Sequence, residues 1–282
     1  MPHVVIAPQD IRNGAIVIRD PEVLHHLVTV LRVHEGDRVE CLDGRGGWYA
    51  ARVAATSRVE LVLDIVEQGR EPPPALSVRL MPALIKPERF DWLVQKTTEL
   101  GIERISPVLT ARSVVRLGGD RAEARLARWR RIAQGAAQQC GRATVPRIDV
   151  PMPLEKAISL LGSRLARPPG PPSAAQAGAG GTPGRAGEAQ GSKEMVAVAP
   201  PSPILLATLT VPGRPLREVL AERPGITSAA VLIGPEGDFT EEEVVLARRH
   251  GAVPVSLGRR VLRSETAAVV MLAILQHTAG EL

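Results

Sequence analysis

The chain has 282 residues, 44% of them apolar and 23% charged, enough to bury two domain cores. Aromatic residues make up only 2%, so those cores must be built from Val, Leu, Ile and Ala. A formal charge of +5, almost all of it Arg, suits a polyanionic partner, while the lack of any long apolar run or secretory pattern excludes a membrane span and points to the cytoplasm.

Residues 1–72 read as short strands with turn punctuation. Gly14–Ile18, Asp37–Leu42, Trp48–Val53 and Val59–Val66 alternate apolar with polar residues or are β-branched, and Asp43-Gly44 with Gly46-Gly47 supplies a turn. One helical piece, Pro21–Arg32, interrupts them. A small, mostly antiparallel barrel of the kind used for nucleic-acid binding fits this pattern, with Arg32, Arg45 and Arg52 as candidate phosphate contacts. His25, His26 and His34 lack metal spacing. Cys41 and Cys140 stand far apart, which argues against a zinc site or disulfide and for two small buried thiols. No metal is expected.

Glu71-Pro72-Pro73-Pro74 is a stiff linker into a second domain, residues 73–282. Leu76–Leu84 predicts a strand. Pro87-Glu88 opens a helix with apolar positions at Phe90, Leu93, Val94, Thr97 and Leu100 and a cap at Gly101. Arg104–Leu109 is the next strand, and an Arg-rich helix follows from about Asp120 to Cys140. Strands alternating with helices mean a parallel sheet with helices on its faces. At 163–203 the pattern dissolves into Pro, Gly, Ala and Ser, an insertion expected to be disordered. Ile204–Leu209 then resumes the strands, with a short helix over Leu216–Leu220.

Two strand-loop-helix units close the chain. Val231–Ile233 runs into Gly234-Pro235-Glu236-Gly237-Asp238-Phe239-Thr240 and a helix whose Thr240 and Glu243 have capping-box spacing. Val253–Leu257 runs into Gly258-Arg259-Arg260-Val261-Leu262-Arg263 and a helix from Ser264-Glu265-Thr266. In parallel sheets ligands bind beyond the carboxyl ends of strands, and Gly234, Gly237 and Gly258 permit close backbone approach and φ above zero. GxGxxG, GxxxxGK[ST], GxSxG and HExxH are all absent, which leaves a ligand without a pyrophosphate to cradle, and an adenosine-bearing methyl donor meets that description.

The pair Ile233–Phe239 and Leu257–Ala267 resembles the signature of the RsmE family, 16S rRNA uracil-N3-methyltransferases of the SPOUT superfamily. Gln95–Gly101, Ile105–Pro107, Ala137–Arg142 and the N-terminal His26–Arg32 extend the resemblance over nearly the whole chain outside the insertion. It implies an N-terminal PUA-like RNA-binding barrel, a SPOUT-type parallel α/β sheet and a C-terminal trefoil knot. It also implies S-adenosylmethionine held by Leu206, Gly234, Pro235, Glu236, Gly237, Leu257, Gly258 and Leu262. The substrate would be 16S rRNA, naked or in the small ribosomal subunit, and the enzyme a homodimer with Arg142 reaching across. Two positions depart from the family: Asp238 stands where a second glycine is usual, and Cys140 where serine is common.

Methylating N3 of a uracil requires the donor methyl in line and removal of the imide proton. Arg263 is the candidate for stabilising charge on the uracil carbonyls, and Glu236 or Glu265 for accepting the proton. Glu265 reads equally as a helix-start carboxylate. Arg259 and Arg260 suit RNA phosphates. The alternative function is a non-catalytic RNA-binding protein that uses only the barrel.

Overall fold

The computed structural model describes residues 3–57, 59–113, 120–164 and 202–282. The Pro/Gly-rich insertion expected at 163–203 lies almost wholly outside them.

The first sheet contains β1 (His3–Val5), β2 (Ile11–Arg12), β3 (Ala15–Ile18), β4 (Arg38–Leu42), β5 (Gly47–Thr56) and β6 (Leu61–Arg70), in the order β1-β4-β5-β6-β3-β2. All its pairings are antiparallel except β1 with β4. Period-2 alternation drives it: Ile16 and Ile18 of β3 face Leu63 and Leu61 of β6, and these four side chains are fully buried. Between β3 and β4, Asp20 caps α1 (Pro21–Leu24) and a π-helical turn over His25–Val30 brings Leu27 into the same core. Burial among these residues pushes the Cys41 thiol up to about 12. Cys140, expected buried like Cys41, is instead exposed, because it ends a helix on its solvent side.

The second sheet is built from β7 (Ser77–Pro82), β8 (Arg104–Ile105), β10 (Arg147–Ile148), β12 (Ile204–Ala207), β13 (Arg214–Pro215), β14 (Ser228–Ile233) and β15 (Ala252–Ser256). Its order is β10-β8-β7-β14-β12-β15-β13 and every pairing is parallel. β9 (Val108–Leu109) and β11 (Met152–Pro153) form a separate parallel pair. The helices are α2 (Pro87–Glu99), α3 (Asp120–Cys140), α4 (Leu154–Arg164), α5 (Leu216–Ala221), α6 (Glu241–Arg249) and α7 (Ser264–Thr278).

Both faces of this sheet are apolar, as a parallel sheet requires. Along β14, Ala229, Val231 and Ile233 join the core beneath α2, α3, α5 and α7, while Ala230 and Leu232 join the core beneath α4 and α6. Phe90 and Trp129 anchor the first core, with ring centroids 4.4 Å apart.

Three differences from the sequence reading have local causes. The segment Arg104–Leu109 is two strands rather than one, since Pro107 cannot donate to a ladder and the bend there hands Val108 and Leu109 to β11. α4 was hidden by the compositional shift beginning beside it, and its Leu154, Ile158 and Leu161 are buried. β1 and β2 are too short to carry a pattern.

The two sheets meet where Gly46 donates to Ala143 O (3.0 Å) and Val145 donates to Gly44 O (3.0 Å), over a small cluster of Val5, Leu42 and Ala143. Among the described residues no helix is long and apolar enough to cross a membrane.

Candidate functional site

Register places the site. Ala207 pairs with Ile233 on one side and Val255 on the other, so the chain leaves three adjacent strands at one level. The segments that follow, Thr208–Thr210, Gly234–Thr240 and Leu257–Arg263, therefore emerge side by side and enclose a cleft of about 280 Å³. Apolar walls come from Ala207, Ile233, Pro235, Val255, Leu257, Leu262 and Ala267; Glu236, Arg260 and Arg263 bring charge to it. Exposed Leu209 and Val261 stand at its lips, 69% and 74% accessible.

The turn after β14 is held on every side. Thr240 Oγ1 accepts from Glu243 N (3.3 Å) while Glu243 Oε2 accepts from Thr240 N (2.9 Å), the capping box expected from spacing. Arg112 donates to Gly237 O (2.8 Å) and Ala111 N to Glu243 Oε1 (2.8 Å), so the loop after β9 braces the same turn. Buried Ser264, at the first turn of α7, donates to Gly234 O (2.7 Å) and ties the second unit to the first.

Glycine requirements differ from those expected. Of Gly234, Gly237 and Gly258, Gly258 alone has positive φ, +121°. Gly234 is needed for space: an added Cβ would lie 2.8 Å from Asp238 Oδ1 and 3.2 Å from a ring carbon of Phe239, so the constraint is the turn folding onto itself. A side chain at Gly237 would make only ordinary contact with Arg112. The left-handed position of the first turn is taken by Asp238, φ +58°.

The expected residues divide. Gly234, Pro235, Glu236, Leu257, Gly258, Leu262 and Arg263 line the cleft. Leu206 does not; it alternates onto the α4 and α6 face and is fully buried, and Ala207, Thr208 and Leu209 take its place at the wall. Gly237 lies outside the lining. So does Glu265, 8% exposed, whose Oε1 sits 3.8 Å from Arg89 Nε and whose Oε2 has no hydrogen-bond partner among the described residues. The same Arg89 holds Glu236 Oε1 at 3.1 Å, so one guanidinium on α2 serves both carboxylates. No sequence signal beyond its place in the first turn of α2 marked Arg89.

Arg142 turns inward rather than outward. It donates to Thr98 O (3.2 Å) at the end of α2, and burial lowers its pKa against the opposing pull of Glu71, Cys140 and Glu103. On the first sheet Arg52 donates to Gly36 O (2.7 Å), while Arg32 and Arg45 are exposed, the latter with its backbone bridged to Thr144. Arg259 is exposed beside the cleft. Among the described residues no group of three or more His, Cys, Asp or Glu could hold a metal ion.

Family models match the chain as an RNA methyltransferase domain over residues 71–166 and 203–276 and an RNA methyltransferase PUA domain over 18–66. A ribosomal RNA small subunit methyltransferase E from Synechocystis is 31% identical over 96% of this chain and 76% of its own length. The protein of that name from Bacillus subtilis is 29% identical over 91% and 88%. A crystal structure of ribosomal RNA small subunit methyltransferase E from Neisseria gonorrhoeae bound to S-adenosyl methionine is 25% identical. It covers 98% of this chain and 97% of its own, with a TM-score of 0.74. A putative methyltransferase from Legionella pneumophila in complex with the same cofactor gives a TM-score of 0.69 at 25% identity, covering 98% and 96%. With both domain models matched in order around a cleft at three parallel strand ends, the chain belongs to the ribosomal RNA small subunit methyltransferase E family of RNA methyltransferases.

Proposed function

We propose that this protein transfers a methyl group from S-adenosylmethionine to N3 of a uridine in the 16S RNA of the small ribosomal subunit. The observation that carries this reading is the cleft itself, with Glu236 and Arg263 on its wall in a chain whose relatives are named as small-subunit rRNA methyltransferases.

The cleft fits the donor by its chemistry. Apolar walls from Ile233, Pro235, Val255, Leu257 and Leu262 suit an uncharged nucleoside. Glu236 complements a cationic centre, and Arg260 and Arg263 make the facing side of the cleft positive. Bound there, S-adenosylmethionine supplies an activated methyl group. Gly234, Pro235, Leu257, Gly258 and Leu262 hold and orient the ligand. Glu236, fixed by Arg89, accepts the imide proton of the uracil, and Arg263 stabilises the negative charge that this leaves on the uracil carbonyls. Glu265 acts behind Arg89 rather than on substrate, since it lies outside the lining.

Arg32, Arg45, Arg259 and Arg260 are exposed and suit RNA phosphates. The reading includes a cytoplasmic homodimer and a knotted C-terminal segment. An apolar surface suited to a second copy is offered by Trp92, 41% exposed on α2, and by the partly exposed Val269, Val270, Ala273 and Ile274 of neighbouring α7. Sedimentation velocity tests the dimer; a monomer at micromolar concentration would overturn it.

The decisive experiment supplies labelled S-adenosylmethionine and small subunits from a strain lacking the modification. Label should appear in 16S RNA at one uridine N3 by nuclease digestion and mass spectrometry. No transfer to subunits or naked RNA would favour a purely RNA-binding role.

A further inference from the structure

The structure assigns Asp238 a role that a glycine at this position could not perform. We propose that its carboxylate is the clasp that joins the Thr208–Thr210 and Gly234–Phe239 lips and so preorganises the cleft for its ligand. The proposal rests on the cofactor reading above.

Four donor atoms from the neighbouring loop lie within hydrogen-bonding distance of Asp238 Oδ2: Leu209 N (2.6 Å), Thr208 Oγ1 (2.9 Å), Thr210 N (2.9 Å) and Thr210 Oγ1 (3.1 Å). The other oxygen, Oδ1, accepts from Phe239 N (2.8 Å) within its own turn. The Thr210 hydroxyl is shared between Oδ2 and Phe239 O, 2.8 Å away, a second link between the same two segments. Thr208, Leu209, Gly234 and Asp238 all line the cleft.

Two physical arguments make this more than a local turn. First, a side chain at φ +58° is strained for most residues, and Asp is one of the few that tolerate it by bonding locally. Secondly, β12 ends at Ala207, so nothing in the sheet ladder holds Thr208, Leu209 or Thr210. Without the carboxylate, Leu209 N would turn to water and Thr210 N would keep only Thr208 Oγ1 (3.1 Å), and ordering this lip would then oppose ligand binding. With it, that ordering is complete before the ligand arrives.

Asp238 is thus a positioning residue acting through Thr208, Leu209 and Thr210, and the test separates this from general stability. Asp238→Gly keeps the left-handed backbone and deletes the clasp; Asp238→Asn keeps an acceptor; Thr210→Val deletes one tether from the opposite side. Calorimetric titration with S-adenosylhomocysteine should give Kd raised by about tenfold in Asp238→Gly and by less in the other two. Methyl transfer at saturating donor should keep its kcat while the donor KM rises. Amide exchange at residues 209 and 210 should quicken in the ligand-free Asp238→Gly protein while β14 stays protected. Wild-type Kd in both Asp238→Gly and Thr210→Val, or unchanged exchange at 209 and 210, would overturn the clasp. Failure of the wild type to bind S-adenosylhomocysteine would overturn the cofactor reading and this proposal with it.

Discussion

The turn after β14 and the loop after β15 face each other across one cleft, and they are built in opposite ways. Gly234–Thr240 is cross-braced by Arg112, Ser264, the capping box and the Asp238 carboxylate, so its backbone has almost nowhere to go. Leu257–Arg263 is tied at its two ends, where Gly258 exchanges two long bonds with Ser256 Oγ (both 3.3 Å) and Arg263 O accepts from Ala267 N (2.8 Å), and it displays Arg259, Arg260, Val261 and Arg263 to solvent. A fixed wall opposite a charged, loosely tied one teaches a division of labour. The first can set the reacting geometry before ligand binds, and the second can adapt to a large anionic substrate.

The sharpest way to break that division is at Glu236 on the fixed wall. Glu236→Gln should lower the single-turnover methylation rate by about 100-fold while S-adenosylhomocysteine affinity stays within a few-fold. An unchanged rate would move proton transfer elsewhere. Next comes Gly258→Val, which forces a β-branched residue to φ +121°, where no such residue is comfortable. It should weaken S-adenosylhomocysteine binding by about tenfold in calorimetry, and normal affinity would show that the second loop bends without cost.

Arg259→Ala combined with Arg260→Ala probes the open loop for RNA. Filter binding of 16S RNA should weaken by about fivefold, and the slope of log affinity against log salt should fall by about 2. Equal weakening at low and high salt would mean the arginines touch something other than phosphate. The smallest effect is expected from Thr240→Ala, which removes the α6 cap; stability should drop by about 1 kcal/mol in urea unfolding. RNA affinity at the opposite loop should stay unchanged, and coupled loss of both would erase the distinction between the two walls.

Much of this architecture was legible before any coordinates. Alternating Ile16 and Ile18, the helical spacing of Phe90, Leu93 and Val94, and the Thr240 and Glu243 pair report their structures directly, because each depends on neighbours within one turn or one strand. The candidate site was half legible. Gly234, Glu236, Gly258 and Arg263 stand in loops that the strand-to-helix grammar marks, whereas Arg89 reaches Glu236 from 147 positions away and nothing local announces it.

What the sequence determined by itself was therefore periodicity, caps and the two loop-bearing units, since these arise from short-range sterics and backbone hydrogen bonding. The tertiary structure alone decided which loops share a cleft, because the strand order β14-β12-β15 is a matter of long-range pairing. It also decided why Gly234 must be small, and sent Leu206 to the core and Arg142 inward. Asp238 marks the boundary between the two: an oddity in sequence, it becomes intelligible only when three residues from 28 to 30 positions earlier arrive at its carboxylate.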